Sequence, residues 1–181
     1  MARWKLTIEY DGRPFNGWQS QKDKSGIQDY VCKAIKDFSK EDVKIYTAGR
    51  TDSGVHARGQ VSHIDLERET DANEMREALN SHLKPHPIAV IDVLKVSNDF
   101  HARFSAIKRH YKYGIINRRA PLTFDKGKYW RVGRKLNIDL MITASKHLIG
   151  HHDFTTFRSS HCQSKSPFKT IDEIIIEQFN D

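Results

Sequence analysis

The sequence predicts an α+β protein built from two units of the ferredoxin- or RRM-like β-α-β-β-α-β type. Three observations carry this. Residues 3–96 show period-2 apolar runs and 3.6-period runs in the order strand, helix, strand, strand, helix, strand. Residues 97–181 echo part of that order without repeating the sequence. Between the second and third strands, a hairpin would need two to five residues, yet the stretch Thr47–Gln60 holds three glycines, two arginines, one carboxylate and one histidine.

Trp4, Leu6, Ile8 and Tyr10 alternate with polar residues, so residues 3–10 form a half-buried strand. Asp11-Gly12 is a turn signal. Arg13–Lys24 is a polar loop in which Phe15 and Trp18 are expected to face outward, although a loop of this kind more often tucks its Trp into the core. Ile27, Val31, Ala34, Ile35 and Phe38 give a helix over 26–39. Strands at Val43–Thr47 and Gln60–Leu66 bracket the glycine-rich loop. Asp71 and Glu74 match a capping box opening a second helix, which buries Met75, Ala78, Leu79 and Leu83 and stops at Pro85 and Pro87. Ile88–Val96 is β-branched and reads as a strand. The second unit, 97–181, is expected to hold strands at Phe100–Ala106 and His110–Asn117. A helix over 137–149 with Gly150 as its stop follows, then an irregular stretch, then a strand at Thr170–Phe179. The domain division is thus 1–96, carrying the loop 47–60, and 97–181.

The chain of 181 residues is long enough for one good core or two small ones. No apolar run is long enough to cross a membrane and no secretory leader opens the sequence, so a cytoplasmic location is expected. Cys32 and Cys162 are far apart and read as free thiols in a reducing compartment. The net charge is +7, and residues 106–135 alone hold ten basic residues and one acid, a net of +9. Tyr111, Tyr113, Phe124, Tyr129 and Trp130 are interleaved with those cations. Phosphate-neutralising charge beside rings that can stack on bases suits RNA; a solvated basic face is the plainer alternative. Among the ten histidines, only His151-His152 with His161-Cys162 cluster, and their spacing matches no common zinc site, so no metal is expected.

Within the loop, Asp52 has Arg50 and Arg58 nearby in sequence. A cation at 4–6 Å would keep the carboxylate ionised as a nucleophile or base; a turn-capping Asp paired with Arg50 is the bland reading. Gly49-Arg50-Thr51-Asp52-Ser53-Gly54-Val55-His56-Ala57, with Gly59-Gln60-Val61, resembles the catalytic motif of the TruA family of tRNA pseudouridine synthases. Further blocks match in order: Tyr10-Asp11-Gly12, Gly17-Trp18-Gln19, Asp99-Phe100-His101-Ala102-Arg103-Phe104-Ser105-Ala106, His152-Asp153-Phe154-Thr155 and Cys162-Gln163-Ser164.

This resemblance implies the pseudouridine synthase fold, with Asp52 as the nucleophile, Tyr111 stacked on the target uracil and Arg50 holding the flipped nucleotide. Arg58, Arg103, Lys108, Arg109 and Lys112 would contact RNA. The substrate would be the anticodon stem-loop of tRNA, with no cofactor, and a homodimer would follow the family pattern. The family continues past residue 179 with a strand, a helix and a basic residue that pairs with the aspartate. The second unit is therefore expected to be incomplete and the chain less active than a longer one. The alternative is a truncated, weakly active or inactive remnant that only binds RNA. A plain ferredoxin-like ligand-binding domain would explain neither the loop nor the +9 stretch.

Overall fold

The computed structural model of the chain describes residues 1–158 and 166–179. It divides into two compact units, Met1–Lys112 and Tyr113–Asp181. The architecture is mixed α+β with antiparallel sheet.

The first unit runs β1 (Ala2–Tyr10), α1 (Ile27–Ser39), β2 (Tyr46–Thr47), β3 (Ala57–Leu66), α2 (Ala72–Leu83) and β4 (Ile88–Val96). Its four strands form one sheet in the order β2-β3-β1-β4, with every neighbouring pair antiparallel. Alternation does the sorting. Trp4, Leu6, Ile8 and Tyr10 of β1 are buried, and across the ladder Ile64 and Leu66 of β3 share their face. Ile27, Val31, Ala34, Ile35 and Phe38 of α1, with Met75, Leu79 and Leu83 of α2, close the same core. Each such side chain contributes about 1.5–3 kcal/mol by leaving water. A register shift between Thr7 and Ile8 lets β4 place both Val90 and Val93 in the core while Ile91 turns outward.

The helix starts follow the chemistry of their caps. At α1 the Asp29 carboxylate accepts the Gly26 N–H at 3.2 Å. At α2 the Asp71 carboxylate accepts from Asn73 N and Glu74 N at 2.8 and 2.9 Å. Cys32 is a free thiol, and burial pushes its pKa up to about 11, which keeps it protonated and inert. Cys162 lies outside the described residues.

The face of the sheet away from the helices is covered in part, around His63, while Leu94 of β4 stays exposed. The chain after β4 folds back across it, over His63 of β3, as an arm of turns rather than the expected strand at Phe100–Ala106. Its backbone groups bond to side chains and to its own turn: Phe104 N and Ser105 N both donate to His101 O. No strand partner is present for it among the described residues.

The second unit contains β5 (Ile115–Asn117), β6 (Trp130–Val132), α3 (Ile138–Ser145), a 3₁₀ turn at Lys146–Leu148, β7 (Gly150–Asp153), a 3₁₀ turn at Thr155–Phe157 and β8 (Phe168–Ile171). β5 and β6 pair in parallel, and β7 and β8 antiparallel. The expected strand at His110–Asn117 is reduced to its last three residues, and that at Thr170–Phe179 is displaced to Phe168–Ile171. α3 is shorter than the 137–149 expected, and Asn137 caps it through Leu140 N at 3.0 Å. No described helix is long and apolar enough to cross a membrane.

Candidate functional site

The loop between β2 and β3 is held at both ends by its own strands. Ala48 N donates to Val61 O at 2.9 Å, and the Gln60 carboxamide donates to Thr47 Oγ1 at 2.6 Å and to Gly49 O. Its middle is a tight turn closed by Val55 N–H to Asp52 O at 3.1 Å. Gly54 takes φ 78° at the third position, where a type II turn requires a positive value. Asp52, at the head of this turn, is exposed.

The support comes from the loop after β1, and it is backbone laid on backbone. Trp18 N donates to Thr51 O at 3.0 Å, Gly54 N to Phe15 O at 3.4 Å, and Ser53 Oγ to Phe15 O at 3.3 Å. The approach is close enough to require glycine. A Cβ on Gly12 would lie 2.1 Å from Val55 O, and one on Gly17 would lie 2.6 Å from Thr51 O. Phe15 and Trp18 were expected to face outward, yet both are buried, Trp18 to 1% exposure. They anchor the supporting loop in the core. The Tyr10 hydroxyl bonds Thr51 Oγ1 at 2.8 Å, and burial pushes the phenol pKa up, so it stays protonated. The blocks Tyr10-Asp11-Gly12 and Gly17-Trp18, separate in sequence, are therefore the mount of the Asp52 turn.

A polar corner completes the mount. The Arg13 guanidinium beside Asp11 holds that carboxyl well below its usual value, at about 2. Gly12 N donates to His56 Nδ1 at 3.3 Å, and Asp11 Oδ1 stands 3.2 Å from the same nitrogen. Arg50 and Arg58, expected beside Asp52, are exposed, but no ion pair engages Asp52 among the described residues.

The other expected residues lie on the arm after β4. Arg103 sits over the Phe104 ring at 5.9 Å, and Lys108 and Lys112 are exposed. Arg109 Nη2 donates to Ala48 O at 2.9 Å, at the root of the Asp52 loop. Two residues on, Tyr111 is 80% exposed with its ring available. The contact through Arg109 thus ties the segment carrying Tyr111 to the loop carrying Asp52. Sequence reasoning counted Arg109 only as a phosphate contact and missed this tie, for which the sequence holds no signal. Among the described residues no group of three His, Cys, Asp or Glu could hold a metal ion, and His161 and Cys162 lie outside those residues.

Comparison with known proteins places these features. A family model described as tRNA pseudouridine synthase matches residues 6–105 and 144–181, taking in the mount, the Asp52 loop and the start of the arm. Tyr111 and the whole basic stretch 106–135 fall between the matched segments. The chain is 52% identical over 181 residues to the tRNA pseudouridine synthase A of Parvibaculum lavamentivorans, covering all of this chain and 74% of that protein. It is 51% identical to that of Maricaulis maris, covering 100% and 73%, and 52% identical over 174 residues to that of Bradyrhizobium diazoefficiens, covering 96% and 71%. With the family model matching residues 6–105 and 144–181 and about half its residues identical to those of these relatives across nearly its whole length, the chain belongs to the tRNA pseudouridine synthase family.

Proposed function

We propose that Asp52 is the nucleophile with which this tRNA pseudouridine synthase isomerises uridine to pseudouridine, that Tyr111 stacks on the target uracil, and that Arg50 holds the flipped nucleotide. The reaction breaks the N1–C1′ bond, turns the freed uracil and joins C5 to C1′, with the C5 proton released to solvent and N1 taking up a proton. Nothing is oxidised or hydrolysed, so the chemistry requires no cofactor. It needs a fixed carboxylate, a surface for the detached ring and a target taken out of its stack. One observation carries the reading: Asp52 is solvent-facing on a turn whose neighbours are locked at Thr51, Ser53, Gly54 and Val55. A locked backbone under an accessible carboxylate is the preorganisation that catalysis demands. A loop with only a structural role would have no use for it.

The finer assignments follow the same reading. Arg58, Arg103, Lys108, Arg109 and Lys112 contact the RNA backbone, the substrate region is the anticodon stem-loop, and two copies of the chain act together. The order β2-β3-β1-β4 with helices on one face supports a ferredoxin-like first unit, and the part of 97–181 beyond the arm would form the second.

Tritium release from C5-labelled uridine in tRNA tests the assignment. Asp52→Asn keeps the shape and loses the nucleophile, so turnover should fall by at least about a thousandfold while tRNA affinity holds. Residual turnover above a few per cent would remove Asp52 from the role. Tyr111→Phe should be milder than Tyr111→Ala if stacking is what matters, and the reverse order would contradict it.

A further inference from the structure

Among the described residues His63 is the most enclosed ionisable side chain outside the site, and the mechanism above does not use it. It projects from β3 on the sheet face away from the helices, opposite Lys5 of β1, and is 1% exposed. Its Nδ1 accepts the Ala102 N–H of the arm at 3.1 Å. That bond requires a lone pair on Nδ1, so the neutral ring carries its proton on Nε2. The ring stacks on Tyr46 of β2 at 4.9 Å and meets His101 and Phe100 of the arm edge-on at 4.8 and 6.0 Å. Arg3 of β1 fixes the same arm, donating to Asn98 O at 2.5 Å and Phe100 O at 2.9 Å while Asp65 of β3 holds its guanidinium. The arm then runs on to Arg109, which bonds Ala48 O, and to Tyr111.

We propose that His63 is a positioning residue, whose neutral imidazole pins the arm to the sheet and so sets where Tyr111 stands relative to Asp52. This rests on the reading of Asp52 and Tyr111 given above. Protonating Nδ1 removes the acceptor for Ala102 N–H and puts a second cation beside Arg3, so the pin opens in acid. The groups facing the ring are Arg3 and Lys5 from β1, Tyr46 from β2 with Lys44 over its ring, Asp65 on β3, and His101 from the arm. Burial first, then Arg3 and His101, lower the His63 pKa from 6.5, and Asp65 opposes them. The neutral ring is therefore the working form at pH 7. Misplacing a stacking partner by about 1 Å costs up to about a hundredfold in rate, while binding spread over many phosphates is little changed.

The experiment is single-turnover tritium release and tRNA affinity between pH 5.5 and 7.5, for wild type, His63→Phe, His63→Gln and Asp52→Asn. Wild type should lose rate on the acid side. His63→Phe keeps a ring but has no acceptor. Its rate should drop at least about tenfold at pH 7.5, with affinity within about twofold and the acid limb gone. His63→Gln offers a carboxamide oxygen to Ala102 N–H, so it should recover most of the rate and also lack the acid limb. If His63→Phe fails to fold, the profile of His63→Gln decides. A wild-type rate in His63→Phe, or an acid limb surviving in either variant, overturns the proposal. With Asp52→Asn inactive in the same series, that outcome leaves the catalytic assignment standing. An active Asp52→Asn would sink both.

Discussion

The two units treat their apolar side chains in opposite ways. In Met1–Lys112, strands and helices contribute a continuous buried cluster, and on the sheet face away from the helices the arm buries His63. In Tyr113–Asp181, Val132 at 9% exposure is the only buried hydrophobic among the described residues, and α3 buries none. Phe124 is 94% exposed, and Leu140, Phe157 and Phe168 are exposed too. The difference shows where the catalytic geometry gets its rigidity. Asp52 sits on the unit that has a core, mounted on residues that belong to that core. The +9 stretch, which needs reach more than precision, straddles the boundary and lies mostly on the unit without one.

The largest stability effect expected from this contrast is a matched pair of truncations. Leu6→Ala opens a cavity in the first unit's centre and should cost about 2–5 kcal/mol. Leu140→Ala on α3 removes an exposed side chain and should change stability by no more than about 0.5 kcal/mol. Chemical denaturation of both variants, with hydrogen exchange to show which amides open first, measures the contrast directly. Equal losses would mean that the second unit is packed as tightly as the first.

Smaller, and sharper about function, is Gly12→Ala. The added Cβ would meet the Val55 carbonyl at 2.1 Å, and backbone cannot swing aside as a flexible side chain would. Relieving the clash should cost about 1–3 kcal/mol of stability. It should also move the Asp52 turn and lower turnover by more than the unfolded fraction explains. Assay of the folded protein at low temperature separates the two effects. Turnover that tracks the folded fraction would show that the mount stabilises the chain without positioning Asp52.

Much of the first unit was legible because periodicity reports on a face that is buried. Ile27, Val31, Ala34, Ile35 and Phe38 predicted α1, and the same five side chains are in the core. The loop motif located Asp52 between β2 and β3. The mount was not legible. Gly12 and Gly17 act by lacking a side chain, Phe15 and Trp18 belong to no repeat, and only the general tendency of such loops to bury a Trp pointed to the inward turn of Trp18. In the second unit, β6 and β7 are too short for alternation to register. The strand expected at Phe100–Ala106 is an arm whose backbone groups meet Arg3 and His63 instead of a strand.

The smallest expected effect concerns the polar corner where β1 meets the Asp52 loop. Asp11 accepts from Arg13 and stands beside His56, and its pKa falls from 3.8 to about 2, with the Arg13 hydrogen bond as the largest cause. A carboxyl whose folded pKa is depressed contributes stability that is fully present above the unfolded value and is lost as pH falls through the folded one. The window here therefore runs from about 3.8 down to about 2. The pair is partly exposed, and water screens it, so Asp11→Asn should cost less than about 1 kcal/mol at neutral pH. Melting temperatures of wild type and variant, compared at intervals from pH 6 downward, give the difference free of the other carboxylates. That difference should shrink across the window and vanish near its lower end. A gap that stays constant in acid would show that Asn disturbs the shape of the corner, and that the charge on Asp11 contributes nothing to holding the loop.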